Sequence, residues 1–470
     1  MTDTPLRNTL YDTEEIQQKD NHFIHPWEIP STIGNNKRTV ITEGDGIYVR
    51  DSDGNKLIDA PAGMWCVNIG HNRQEMANAI SEQVMRLSYA TPWAMTNAPA
   101  SILADELAKK SPGDLNNVAF VTCGSTAVDT AVRFMHYYNN ALGRPTKKRI
   151  ISRAMAYHGS TYVGGTLCGK PLDRHNMDFA EGMCHQISCP NPHDRKEEQT
   201  VEEFCAEKVM ELEDAILELS PENVGMFIAE PVLASGGVIV PPDGYLKKCK
   251  DVCDKYDVLF VADEVVTAFG RLGHWFASED VFGVIPDMIT TAKGLTSGYI
   301  PMGALLISDR LINQLKETEG GDNCFSNGYT YSGHPVAAAA ALKSMEIIER
   351  EGLLDNARIV GEYFQKRLRE LLDIPMVTEV RGTGLMGAVE CLNSGTTTGD
   401  MRDVAYDIGA RIDKHCQQLG LIVRPLVSMC IMSPPLTITK DQIDEMISIL
   451  REGIERTQAE IIAEGIWTPK

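Results

Sequence analysis

Lys293 stands directly after the apolar run 288–292 and directly before Gly294. A lysine that ends a buried strand inside a pocket can lose its charge to burial, and its free amine can then attack a carbonyl. Asp263, followed by Glu264, ends a second apolar run at 258–262. A carboxylate so placed needs a cation or several donors, because an unpaired buried charge is costly, and the protonated nitrogen of a heterocycle would serve. A third run at 118–121 leads into Thr122-Cys123-Gly124-Ser125-Thr126 and then a helical stretch with Ala127, Val128, Ala131, Val132 and Met135 on one face. Such a turn offers free N–H groups and the positive end of a helix to a phosphate. After a fourth run at 149–151 comes Tyr157-His158-Gly159-Ser160, whose tyrosine could stack on a planar ligand. Each residue also has an ordinary reading when taken alone: a surface lysine, an aspartate capping a turn, a serine or threonine N-cap, a core tyrosine.

The elements that must position these residues are short apolar runs, at 118–121, 149–151, 226–229, 258–262 and 288–291, separated by stretches of helical period. Strands spaced in this way give a mainly parallel sheet covered on both faces, with ligands at the carboxyl ends of the strands. Ahead of them, 39–42, 47–50 and 57–58 read as a β-meander turning at Asp51-Ser52-Asp53-Gly54. Beyond about residue 345 helices and short strands mix, as in an α+β unit. The expected division is residues 1–71 and 346–470 in a smaller domain built from both chain ends, and 72–345 in a large ligand-binding domain.

At 470 residues the chain is long enough for two or three packed units. With 44 Lys and Arg against 65 Asp and Glu, the net charge of −21 argues against nucleic acid or an anionic membrane as the main partner. It leaves room for a small anion in a locally positive pocket. No apolar stretch approaches the ~18–20 residues of a bilayer span. Residues 1–20 lack the basic start and apolar run of a signal peptide. A cytoplasmic enzyme fits these features. The 12 cysteines mostly scatter singly and read as reduced core thiols. Two groups stand closer, Cys249 with Cys253 and Cys184, His185, Cys189 and His193, and neither has zinc-site spacing, so no metal is expected.

An amine, an acid for a ring nitrogen, a phosphate cradle and an aromatic platform at successive strand ends are together the set that pyridoxal 5'-phosphate (PLP) requires. The stretch Val261-Ala262-Asp263-Glu264-Val265-Val266-Thr267-Ala268-Phe269-Gly270-Arg271, with Asp287 and Thr291-Ala292-Lys293-Gly294, resembles the signature of class III PLP-dependent aminotransferases. Gly124-Ser125, Tyr157-His158-Gly159, Glu230-Pro231 and Tyr329-Thr330-Tyr331-Ser332-Gly333-His334-Pro335 match in the family's order and cover nearly the whole chain. Within the class, Trp65 and Arg424 resemble the substrate-pocket tryptophan and mobile arginine of ω-transaminases (amine:pyruvate aminotransferases). Thr126 and Val128 stand where the family often has Glu and Asn, and Asn327-Gly328 where it has a His-Gly pair.

The resemblance implies PLP fold type I, an α/β fold, and transamination of an ω-amino acid or primary amine with pyruvate as acceptor. It implies that Lys293 holds the cofactor and moves the proton, and that Asp263 keeps its ring nitrogen protonated. Gly124, Ser125 and Thr126 would bind phosphate, Tyr157 and Val265 would flank the ring, and His158 and Glu230 would complete the cofactor site. Trp65, Tyr157 and Arg424 would meet substrate, Arg424 pairing with the carboxylate and swinging out for apolar groups. Thr330 would reach the phosphate of a neighbouring subunit, which implies a homodimer with shared sites, or a tetramer built from it. The same fold also serves aminomutases, racemases and decarboxylases.

Gly382-Thr383-Gly384-Leu385-Met386-Gly387 spells the GxGxxG of dinucleotide-binding folds, which would suit an NAD-dependent dehydrogenase. That motif must open a helix, and here Ala388-Val389-Glu390-Cys391 follows, a strand-like run ending in Asn393-Ser394-Gly395. A β-hairpin is the expected form.

Overall fold

The computed structural model describes residues 12–392, 396–397 and 401–468. Residues 1–11 of the N-terminal stretch, and Asn393-Ser394-Gly395, lie outside the described residues.

Three antiparallel strands open the fold: β1 (Ile41–Asp45), β2 (Tyr48–Asp51) and β3 (Lys56–Asp59). The turn between the last two forms because Oδ1 of Asp51 accepts from the backbone N–H of Asp53 (3.0 Å) and Asn55 (2.8 Å). The expected meander is present, with its first strand beginning at residue 41 instead of 39.

The central sheet has seven strands: β4 (Asn117–Val121), β5 (Arg149–Arg153), β6 (Cys184–Ile187), β7 (Val224–Ala229), β8 (Leu259–Asp263), β9 (Met288–Thr291) and β10 (Gly303–Ile307). Their order is β4-β10-β9-β8-β7-β5-β6. The pairings are parallel from β9 through β6, while β10 runs antiparallel to both β4 and β9. Consequently β4 points the same way as β8 and β9, and its carboxyl end lies on their edge. Every residue of β7 and β8 is buried. Side chains alternate between faces along a strand. Met226, Ile228, Leu259 and Val261 therefore pack with Val128, Ala131 and Met135 of the helix Gly124–Ala141. Phe227, Ala229, Phe260 and Ala262 pack on the opposite side with Leu212, Ile216 and Leu246 of the helices Val201–Leu219 and Tyr245–Lys255. This is why those runs are apolar at every position. The fold is the mixed α/β arrangement with a large, mainly parallel sheet that the sequence predicts.

In the C-terminal part, β11 (Val377–Thr383) and β12 (Met386–Cys391) form a hairpin about Gly384-Leu385. The GxGxxG sequence thus bends a hairpin and opens no helix, as the run after it requires. Beyond it lie β13 (Thr396–Thr397), β14 (Leu421–Ile422), β15 (Arg424–Leu426), β16 (Met429–Met432) and β17 (Trp467–Thr468). β14 pairs in parallel with β3, β12 and β15 flank β16, and β13 pairs with β17. Among the described residues, no helix is long and apolar enough to cross a membrane.

Arg271, fully buried, ties the loop after β8 to both ends of the chain. Its Nη1 donates to the carbonyls of Leu385 (3.3 Å), Ser433 (2.9 Å) and Pro434, and its Nη2 to Oδ1 of Asn68 (2.9 Å).

Candidate active site

A cavity of about 290 Å³ opens at the carboxyl ends of the central strands. Gly124, Ser125, Tyr157, His158, Glu230, Asp263, Val265, Lys293, Trp65 and Arg424 all contribute to its lining, so residues up to 359 positions apart in sequence meet in one place.

Lys293 follows β9 and starts a single 3₁₀ turn, Lys293–Leu295, with φ +39°. Its neighbour Gly294 is hemmed in, since a Cβ there would come within 2.5 Å of the Asn68 amide. The backbone that carries the lysine is therefore held tightly. Burial pushes the Lys293 amine down to about 8, against the pull of Asp263 and with help from the positive Arg424. Near neutral pH a usable fraction of this amine is uncharged.

Trp65 lies beside that amine. It ends a tight turn in which both carboxylate oxygens of Asp59 accept from the Gly63 N–H, at 2.9 and 2.7 Å. Lys293 Nζ is 4.9 Å and Arg424 Cζ 4.5 Å from the indole centroid, so two cations share one ring. Burial pulls the Arg424 guanidinium below its ordinary value. Among the described residues it forms no ion pair, although it reaches the cavity. An uncompensated guanidinium beside a nucleophilic amine is a receptor for a small carboxylate.

Asp263 ends β8. Its Oδ1 accepts from the Val265 N–H (3.2 Å), and its Oδ2 lies 2.7 Å from Nδ1 of His158. Glu230, after β7, accepts from the Tyr157 N–H (3.0 Å) and the Ala234 N–H (3.1 Å), and burial pushes its carboxyl up. The Tyr157 hydroxyl is 2.8 Å from Oγ of Ser160.

The turn after β4 opens the 18-residue helix Gly124–Ala141. A Cβ at Gly124 would meet Val265 methyl carbons at 2.9 Å, so only glycine lets the two loops approach this closely. Oγ of Ser125 accepts from the Ser160 N–H (3.1 Å), and a Cβ at Gly159, where φ is +126°, would strike that same hydroxyl at 2.7 Å. The N–H groups of Gly124 and Ser125 have no acceptor within the helix, as at any helix start. Two expected site residues do not line this cavity. The Thr126 hydroxyl accepts from the Cys123 N–H (3.0 Å) in the helix cap and does not line the cavity. Thr330 is exposed and lies outside the cavity of its own chain, its carbonyl accepting from the Tyr89 hydroxyl (2.9 Å).

Further lining residues carry no motif: Trp27, Met64, Ser235, Thr296, Pro301 and Met302. Trp27 comes from the segment before β1, which carries no strand, helix or site pattern in the sequence.

The arrangement brings an amine held near neutrality next to a buried carboxylate, a phosphate-sized turn of free N–H groups and an unpaired guanidinium. Such a set can attack a carbonyl, carry a proton and hold two anions at once.

Comparison with known proteins points the same way. The family model described as Aminotransferase class-III matches residues 32–454. The chain is 40% identical over 446 residues to a putrescine–pyruvate aminotransferase of Pseudomonas aeruginosa, covering 94% of this chain and 96% of that one. It is 37% identical to the mitochondrial gamma aminobutyrate transaminase 1 of Solanum lycopersicum, over 98% of this chain and 90% of that protein. The crystal structure of an (S)-enantioselective omega-transaminase from Thermomicrobium roseum superimposes with a TM-score of 0.89 at 35% identity, covering 96% of this chain and 99% of that one.

Proposed function

The chain belongs to the class III aminotransferases, and from that premise we propose that it transfers the amino group of a primary amine or ω-amino acid to pyruvate, releasing an aldehyde or ketone and alanine. The observation that carries the acceptor is Arg424, a guanidinium with no carboxylate partner among the described residues, seated on the Trp65 ring close to Lys293. A keto acid supplies the missing carboxylate; an apolar amine does not need it.

The residues fit PLP. Asp263 presents a buried carboxylate for a ring nitrogen, Gly124 and Ser125 present N–H groups for a phosphate, and Val265 and Tyr157 stand where they can flank a planar ring. When bound, PLP supplies an aldehyde that accepts the amino group and a ring that takes up the electron pair left at the substrate carbon. Lys293 is the attachment point and the proton carrier: its uncharged amine takes the proton from the amine-bearing carbon of the donor and, in the second half of the cycle, delivers one to the keto carbon of the acceptor. General acid–base transfer of this kind is typically worth about 10²–10⁴ in rate. His158 and Glu230 hold Asp263 and the Tyr157 loop, and Trp65 walls off water on the substrate side.

The exposed position of Thr330, away from its own cavity, supports a homodimer in which each chain completes the phosphate site of the other. The pairing of β3 with β14 supports the three-part division, with 1–71 and 346–470 forming the smaller domain around 72–345.

Transfer of ¹⁵N from a labelled amine into alanine, followed by mass spectrometry with PLP and pyruvate present, tests the reading. Label should appear in alanine with the native chain and vanish with Lys293→Ala. Label retained in the donor, or carbon dioxide released in its place, would exclude transamination to pyruvate.

A further inference from the structure

Among the described residues, three charged side chains have no exposed surface: Arg153, Glu264 and Arg271. A charge withdrawn so far from water is sustained only where neighbours satisfy the donors or acceptors it carries. Glu264 accepts from the Thr267 hydroxyl (3.0 Å), the Ala277 N–H (2.7 Å), and both the N–H (2.9 Å) and the hydroxyl of Ser278. Arg271 donates to three carbonyls and to the Asn68 side chain. Arg153 has a single acceptor. Its Nη2 donates to the carbonyl of Glu230, while Nε and Nη1 have no hydrogen-bond partner among the described residues.

Arg153 ends β5 and shares a strand face with Ile151, on the side where Tyr245 and Cys249 of the helix Tyr245–Lys255 pack. The Tyr245 hydroxyl is also fully buried, and its one neighbour of any polarity there is the Cys249 thiol, a weak acceptor. The Arg153 charge acts on Tyr245, Cys249 and Cys189. Burial nevertheless pushes the Cys249 thiol up to about 12 and the Cys189 thiol up to about 11, so neither supplies a thiolate. The Glu230 carboxylate feels the same charge but is turned to the N–H groups of Tyr157 (3.0 Å) and Ala234 (3.1 Å). Asp194, near Cys189, is exposed and accepts from Nδ2 of Asn191 (3.3 Å). Among the described residues no carboxylate forms an ion pair with Arg153.

Two N–H groups of one guanidinium and a phenolic hydroxyl thus stand in a region closed to solvent and otherwise lined by apolar and thiol groups. A water molecule would accept these bonds and leave the cation unbalanced. A phosphate would bring more charge and more acceptors than the donors can meet. A monatomic anion accepts the bonds and balances the charge. We propose that Arg153 and Tyr245 hold a buried monovalent anion of the size of chloride, between β5 and the helix Tyr245–Lys255 and next to Glu230 of the active-site wall.

Chlorine and sulfur give similar anomalous signals at long X-ray wavelength, so the sulfurs of Cys189 and Cys249 calibrate a diffraction test. Crystals of the PLP-loaded protein grown in sodium chloride should show a peak of comparable height within hydrogen-bond reach of Arg153 and the Tyr245 hydroxyl. Density without anomalous signal, or no density, would overturn the site. In solution, with sodium gluconate holding ionic strength constant, each tenfold rise in chloride should raise the unfolding midpoint of the PLP-loaded protein by about 1–3 °C. Arg153→Met should abolish that dependence and Tyr245→Phe should weaken it. If Arg153→Met does not fold, Tyr245→Phe and the diffraction decide. A dependence unchanged in the variants would put the chloride elsewhere, as at Arg424, and contradict the proposal; so would a native midpoint indifferent to chloride.

Discussion

Nδ1 of His158 lies 2.7 Å from Oδ2 of Asp263, with both side chains almost wholly shielded from solvent. The other ring nitrogen, Nε2, is buried with no hydrogen-bond partner among the described residues. A buried lone pair without a donor is tolerated better than a buried N–H without an acceptor, so the arrangement favours Nδ1 as the nitrogen that donates to the carboxylate. His158 is thus placed to orient Asp263 from its Oδ2 side, with the Oδ1 side set by the Val265 N–H. His158→Leu should weaken PLP binding by about 10–100-fold, the range expected for a lost hydrogen bond to a charged group, while His158→Asn, which keeps an N–H near the same position, should lose much less. Cofactor titration of the apo variants followed by fluorescence measures this; equal losses in both would reduce His158 to a packing role.

The lowered Lys293 value predicts how the apoenzyme responds to pH. Only the uncharged amine attacks a carbonyl, so the rate of PLP capture should rise about tenfold per pH unit below 8 and level off above it. An ordinary lysine would go on rising toward its usual value of 10.5. Stopped-flow capture rates between pH 6 and 10 check the sign and position of the break. Replacing Asp263 by Asn removes the carboxylate that holds the lysine proton, and the break should then move to lower pH.

Arg424→Ala should reduce kcat/KM for pyruvate by about 10–100-fold, the cost of losing a charge-assisted contact to the carboxylate, and that for an uncharged-tail amine by less than about threefold. Steady-state kinetics varying each substrate in turn separate the two. Equal losses would contradict a carboxylate-binding role.

Arg271 has a stability role distinct from the chemistry. Arg271→Met removes the donors that satisfy three carbonyls and the Asn68 side chain, and should destabilise the protein by about 3 kcal/mol or more. Arg271→Lys should recover little, because one ammonium cannot reach acceptors arranged around a planar fork. Urea unfolding monitored by circular dichroism provides the measurement.

Much of the central sheet was readable because β7 and β8 are buried on both faces and therefore apolar throughout. β6 carries no strand signal of that kind, because Cys184-His185-Gln186 is only half buried and resembles part of a cysteine and histidine cluster. The antiparallel insertion of β10 between β4 and β9 was hidden for another reason: strand direction is a property of the connection, and no residue within Gly303–Ile307 records it. The residues that line the cavity were legible wherever they end a strand of the central sheet, as with Lys293, Asp263 and the Gly124-Ser125 turn. Trp27 and Ser235 were not, since they reach the cavity through loops whose course depends on tertiary ties such as Asp173 and Lys170. The Thr126 hydroxyl takes the ordinary role of a residue at a helix start, accepting from the Cys123 N–H in the cap.

The most direct test is the visible spectrum of the PLP-reconstituted protein taken through one full cycle without turnover. An amine donor alone should abolish the long-wavelength absorbance of the bound cofactor, and pyruvate alone should then restore it with one equivalent of alanine formed per site. Absorbance that never develops, or that is lost with the amine and does not return with pyruvate, would contradict the account.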